Sequence, residues 1–249
     1  MNQIWLYSIL SVLIVSLISF AGIFTLSIKI ERLKLILIYL ISFSAGALLG
    51  DAFIHLLPEL IEESGFELAT SLYILLGIVI FFILEKVIHW HHYHMPFDKE
   101  HEHPFAYMNL VGDGLHNFMD GLIIAASYMI NPGVGIATTL AVIAHEIPQE
   151  IGDFGVLIHG GFSKSKALLL NFLSALTAVF GAIIGLILAG RIAGIEKALI
   201  PIAAGGFIYI AGADLIPELH KERGIKKAML QTLAFVAGIL VMILLLFLE

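Results

Sequence analysis

Apolar residues run along this chain in long blocks, not in the three-to-four-residue rhythm of a helix with one wet face. Eight blocks reach roughly bilayer-spanning length, at about 20 residues each. They cover approximately 3–28, 35–57, 67–88, 105–130, 134–159, 165–189, 195–217 and 226–248. Turn and charge signals separate them: Lys29-Ile30-Glu31-Arg32, Pro58-Glu59 through Gly65, a histidine-rich stretch, Asn131-Pro132-Gly133, Gly160-Gly161 with Ser163-Lys164, Gly190-Arg191, and Lys221 through Lys227. The expected fold class is therefore all-α: a polytopic membrane protein of eight transmembrane helices, forming one domain over residues 1–249. The first block has no basic leader and no small-residue cleavage site, so it reads as a span and not as a signal peptide.

Composition narrows the class. The 249 residues are 59% hydrophobic and 13% charged, with a mean hydropathy of +0.99. Soluble domains carry about 25% charged residues. A soluble globule, a disordered chain and a nucleic-acid binder are excluded. The formal net charge is −7 and cysteine is absent, which removes disulfides and thiolate metal sites. The partner implied throughout is the lipid bilayer.

Basic residues set an orientation. Eleven of the thirteen fall in alternate loops: Lys29, Arg32 and Lys34; Lys86 and Lys99; Lys164 and Lys166; Lys221, Arg223, Lys226 and Lys227. Only Arg191 and Lys197 fall on the other side. Both termini are expected outside, with the histidine stretch at 89–104 in the cytoplasm and the protein in a cell (plasma or inner) membrane.

A repeat is hidden in the pattern. Ala45-Gly46 is followed, after eight intervening residues, by His55-Leu56-Leu57-Pro58-Glu59-Leu60. Ala204-Gly205 is followed at the same interval by Asp214-Leu215-Ile216-Pro217-Glu218-Leu219. The offset of 159 also maps span 1 onto span 6 and span 3 onto span 8. By the charge count spans 2 and 7 run in opposite directions, giving an inverted 3+2+3 repeat, a plan found in secondary transporters.

Spans 4 and 5 carry the residues that do not belong in lipid. Span 4 holds Asp113, His116, Asn117 and Asp120; span 5 holds His145, Glu146, Gln149, Glu150 and Asp153. His116/Asp120, His145/Gln149 and Glu146/Glu150 are i, i+4 pairs, each on one helix face. A charge at mid-bilayer costs about 2.5–3.5 kcal/mol on insertion scales. Clustered carboxylates also repel unless they are protonated or bridged by a cation. A divalent metal resolves both costs. Imidazole, carboxylate and amide donors suit zinc, iron(II) or manganese better than copper(I). Pro148, inside the stripe, removes a backbone donor and frees the carbonyl of Ala144.

The motifs are specific. His116-Asn117-Phe118-Met119-Asp120-Gly121 and His145-Glu146-Ile147-Pro148-Gln149-Glu150-Ile151-Gly152-Asp153 resemble the paired HNFxDG and HExPHExGD signatures of the ZIP (Zrt/Irt-like) divalent metal transporters. Gly50-Asp51-Ala52-Phe53-Ile54-His55-Leu56-Leu57-Pro58-Glu59 is also similar to that family. The resemblance spans essentially the whole chain. It implies a secondary transporter carrying a divalent metal into the cytoplasm, with zinc foremost and iron, manganese and cadmium permitted. The metal is cargo; no cofactor is implied.

By motif position the family implies a binuclear site. His116, Asp120, His145 and Gln149 would share one metal position; Asn117, Glu146 and the shared Asp120 would form the second. Gln149 stands where the pattern has histidine and other branches have a bridging Glu, and Glu150 could compensate. Asn171 in span 6 could complete the shell. Asp51 and His55, again i, i+4, fit either an entrance relay or a strut between helices. Asp113 and Asp153 would line the pathway. The family further implies a moving bundle of spans 1, 4, 5 and 6.

His89, His91, His92, His94, His101 and His103 are six of the eleven histidines and make a tract of metal-binding composition. It reads as a low-affinity acceptor for metal leaving the pore. Glycine-rich faces on spans 2, 6 and 7 could pack within one chain or between two copies as a homodimer. The rival function is an intramembrane zinc metalloenzyme of the protease kind. That needs H-E-x-x-H, and the fifth position here is Gln149. The expectation is a transporter and not an enzyme. The chain also lacks a phosphate-binding GxxxxGK[ST] loop for ATP.

Overall fold

The structure, a computed structural model, describes residues 2–25, 30–65, 67–92, 104–192, 194–220 and 224–248. Every element among them is helical. The principal helices are α1 (Asn2–Leu17), α2 (Ile30–Gly50), α3 (Leu68–His92), α4 (Pro104–Ile130), α5 (Pro132–His159), α6 (Lys164–Ala175), α7 (Thr177–Arg191), α8 (Glu196–Tyr209) and α9 (Ile225–Leu245). Five helical runs among the described residues are both long and apolar enough to cross a bilayer: Asn2–Ala21, Ile36–Glu62, Leu68–Lys86, Lys164–Arg191 and Ile225–Leu245. Lys197–Ala213 is apolar but shorter. At 27 and 28 residues, α4 and α5 have the length, and acidic side chains interrupt their apolar sequence. The chain is an all-α polytopic membrane protein. Large apolar side chains such as Leu72, Phe180 and Leu233 stay exposed, as lipid contact requires.

Two prolines that look like span ends in the sequence do not end their helices. A π-helical segment, Asp51–Leu56, leads into a further helix, Leu57–Ser64, that contains Pro58. A second, Ile210–Leu215, leads into Ile216–Leu219, which contains Pro217. A proline ring clashes with the carbonyl four residues before it and offers no N–H. The wider turn absorbs both defects: Leu57 N–H donates to Ala52 and Ile216 N–H to Ala211, each five residues back. The first run reaches Gly65, whose φ of +74° ends it.

The π segments begin at 51 and 210, again 159 apart. Packing repeats at the same interval. Gly46 in α2 faces the backbone of Phe235 and Ile239 in α9; its counterpart Gly205 in α8 faces that of Ile74 and Gly77 in α3. A side chain at either glycine would collide with a neighbouring carbonyl, so both crossings depend on glycine. Repeat mates also meet directly. The Ser16 hydroxyl donates to the carbonyl of Ala175, 159 positions on. Phe20 stacks on Phe172 in the same neighbourhood, so the two chain segments pass in opposite directions. The halves are thus inverted with respect to each other.

The closest helix pairs divide the protein in two. Helices α4 and α7 cross at Gly121 and Gly181, each against the other's backbone, with α1, α5 and α6 around them. The pairs α2/α9 and α3/α8 form the remainder. Spans 1, 4, 5 and 6 therefore group together. Gly46 and Gly50 of span 2, Gly181 and Gly185 of span 6, and Gly205 and Gly206 of span 7 pack against neighbours within the chain, whereas Gly212 faces open space.

Candidate metal centre

Helices α4 and α5 are joined by a tight turn. Asn131 takes an extended conformation and its side-chain oxygen accepts from Val134 N–H at 2.9 Å, with Pro132 in the first turn. The two helices then run antiparallel, and polar side chains meet across them in rungs three to four residues apart. Asn109 donates to Asp153 at 2.8 Å and Gln149 donates to Asp113 at 3.3 Å. The next rung brings His116 and Asp120 against His145 and Glu146.

In that last rung four ligand atoms converge. His145 Nε2 lies 3.2 Å from Asp120 Oδ2, 3.3 Å from His116 Nε2 and 3.5 Å from Glu146 Oε1. His116 Nε2 lies 3.5 Å from Glu146 Oε1 and 3.6 Å from Asp120 Oδ2. The edge of a regular tetrahedron is about 1.6 times its centre-to-vertex distance. Five of the six edges here are 3.2 to 3.6 Å and all four atoms lie within 4.8 Å of one another; a regular tetrahedron with such edges has its centre about 2.1 Å from each corner, the length of a zinc–nitrogen or zinc–oxygen bond. Asp120 and Glu146 are fully buried, yet Asp120 Oδ1 and both Glu146 oxygens accept no hydrogen bond among the described residues. Buried carboxylate oxygens are almost always paired. A cation between them supplies the missing partner.

Neighbouring groups aim the ligands. His145 Nδ1 donates to the Ala141 carbonyl at 3.1 Å, which directs the lone pair of Nε2 into the cluster. Ring edges of Phe81 and Phe207 flank His116 and His145, each with centroids 6.0 Å apart. The carbonyl of Ala144, freed by Pro148, accepts from the Ser44 hydroxyl of α2 at 2.5 Å. Nothing in the apolar run around Ser44 marks it for this role.

The remaining candidates fall elsewhere. Gln149 does not join the first cluster; it turns to Asp113, one rung away. Asn117 also donates to Asp113, at 2.9 Å, and its own oxygen is buried without a hydrogen-bond partner among the described residues. Glu146 takes the place in the cluster that the motif assigns to Gln149. Glu150 faces α6, accepting from Asn171, which is also within reach of the Ser19 carbonyl at 3.4 Å. Asp51 accepts from Thr138 of α5 at 3.2 Å, and His55 donates to the Met242 carbonyl of α9 at 2.8 Å. Each contact joins two helices. His94, His101 and His103 lie outside the described residues; His89, His91 and His92 fall in the last turns of α3.

Comparison with known proteins fits this geometry. Residues 2–106 and 98–246 match the family described as ZIP zinc transporter. The chain belongs to the ZIP family. The human zinc transporter SLC39A7 is 29% identical over 99% of this chain and 72% of its own length. Zinc transporter zipt-7.1 of Caenorhabditis briggsae is 30% identical over 87% of this chain and 70% of its own. Zinc transporter ZIP13 of Pongo abelii is 33% identical over 82% and 65%. This ZIP protein is a divalent metal transporter embedded in the membrane, and not an enzyme.

Proposed function

We propose that this ZIP protein carries zinc toward the cytoplasm through a site made by His116, Asp120, His145 and Glu146. One observation carries the reading: four ligand atoms within 4.8 Å of one another, three of their side chains essentially buried, with carboxylate oxygens that lack hydrogen-bond partners among the described residues. Nitrogen and carboxylate donors suit zinc, and the same set admits iron(II), manganese and cadmium. Asp113, Asn117 and Gln149 offer a neighbouring oxygen-rich position one rung away, and Glu150, Asp153 and Asn171 extend it.

Direction follows from charge. The side with eleven of the thirteen basic residues is cytoplasmic, which places the termini outside and the histidine tract inside, as an acceptor. The assembly in a cell membrane could be a homodimer. The inverted halves have two related packings, so the bundle of spans 1, 4, 5 and 6 moves against the other to alternate access. No nucleotide is consumed.

Purified protein in vesicles with trapped zinc indicator tests this. H145A and D120A should abolish saturable zinc uptake while remaining folded. Lowering the external pH from neutral toward about 5.5 should raise the zinc concentration for half-maximal uptake, because protons compete for the same lone pairs. Wild-type kinetics in folded H145A protein would remove the site assignment.

A further inference from the structure

Where α4 passes the junction of α6 and α7, the outer face of the protein is hollowed into a groove of about 650 Å³. Its floor is made of small side chains: Gly114 of α4, with Ser174 and Thr177 on either side of the junction at Leu176. Larger apolar side chains form the walls and stay exposed, Val111 and Leu115 on one side, Leu173 and Phe180 on the other. The floor hydroxyls are turned to backbone. Ser174 donates to the Leu110 carbonyl at 3.0 Å and Thr177 to the Gly114 carbonyl at 2.5 Å, and both bonds tie α4 to span 6. Beyond Tyr107 at one end, the groove therefore offers a ligand hydrocarbon and little else.

The length of the groove matches one leaflet. At the Tyr107 end, Tyr107 packs edge-on against Phe162 with centroids 5.1 Å apart, and Lys166 Nζ stands 4.9 Å over the Phe162 ring. Aromatic and basic side chains of this kind gather where hydrocarbon gives way to headgroups. From Tyr107 to Phe118, which lines the far end, α4 rises about 16 Å. Half of a bilayer's hydrocarbon core is about 15 Å. We propose that the groove holds one acyl chain of an acidic phospholipid from the leaflet at the Lys166 end, with its phosphate at the level of Tyr107 and Lys166. An empty apolar hollow forfeits dispersion contacts along its lining, and water finds no partners in it. A flexible hydrocarbon chain of the right length already lies beside it in the bilayer. The positive charge of Lys166, with Lys164 in the same first turn of α6, favours an acidic headgroup. The lipid lies across the seam between α4, which carries His116 and Asp120, and the interrupted span 6, and braces the two from outside. The proposal goes beyond the transport reading and needs only that the chain is embedded in a membrane.

The test titrates the solubilised full chain with dioleoyl phosphatidylglycerol and counts bound lipid by native mass spectrometry. The parent should hold one phosphatidylglycerol more tightly than any further ones, and more tightly than phosphatidylcholine with the same chains. L173W, which fills the groove from the span 6 wall, should lose that site. L233W, on the exposed face of α9 and outside the groove, should keep it. K166E should weaken it about tenfold. V111W repeats the groove test from the α4 wall, so that one variant decides if the other does not fold. Parent-like retention in a folded groove variant overturns the proposal, as does equal loss in L233W. Undiminished binding in K166E overturns the placement of the headgroup. A lipid-free dimer that L173W or V111W splits into monomers also overturns it, and makes the groove an interface between copies.

Discussion

The Ser44 hydroxyl of α2 donates to the Ala144 carbonyl of α5, the acceptor that Pro148 leaves without its helical donor. This one bond ties the helix next to the metal ligands to the opposing bundle. A fully buried carbonyl left unsatisfied costs about 1–3 kcal/mol, and this part-buried one should cost less. S44A should lower the thermal unfolding midpoint, and S44A/P148A should recover it, because alanine at 148 restores the helical donor. A double variant no more stable than S44A would show that Ser44 acts elsewhere.

The α4/α7 crossing should be equally intolerant. A Cβ at Gly181 would meet the Phe118 carbonyl, whereas one at Gly190 meets nothing within 4 Å. G181A should destabilise the protein by about 1–3 kcal/mol through overpacking, and G190A should not. Thermal unfolding in detergent compares them directly. Equal midpoints would mean that α4 and α7 are further apart than described.

Gln149 gives a sharper test of the second rung. Its amide donates to Asp113 at 3.3 Å, so Q149E replaces a donor by a second negative charge beside the first. Without metal, Q149E should be less stable than the parent, because like charges at this distance repel. Zinc should stabilise it more than it stabilises the parent, since binding adds stability in proportion to affinity. Metal content measured by mass spectrometry should also rise per chain. Identical zinc-induced shifts in both proteins would separate position 149 from any metal.

Orientation can be read chemically, because the chain has no cysteine of its own. A cysteine at Asn131, in the α4–α5 turn, should react with an impermeant thiol reagent outside intact cells. One at Ser163, before α6, should react only after permeabilisation. The reverse pattern would invert the protein and the inferred direction of transport.

The sequence alone determined the helical membrane class, the polar stripe on spans 4 and 5, the offset of 159 and the orphan carbonyl of Ala144. Each is a one-dimensional signal. Hydropathy measures what can enter lipid, a proline removes a donor wherever it falls, and residues three or four apart share a helix face whatever lies opposite. What a helix face meets is a different question. His145 and Gln149 share a face, yet Gln149 lies one turn along an antiparallel pair, so it reaches Asp113 while Glu146 joins His116, Asp120 and His145. The level at which α4 meets α5 decides that, and no periodicity within either helix contains it. Ser44 reaching Ala144 and Tyr209 reaching Glu85 are likewise set by contacts 100 and 124 positions apart in the chain. The π segments at 51 and 210 follow the same logic, since a proline can end a helix or widen its preceding turn. Packing of the two halves held both helices intact, and only the tertiary structure could choose between those outcomes.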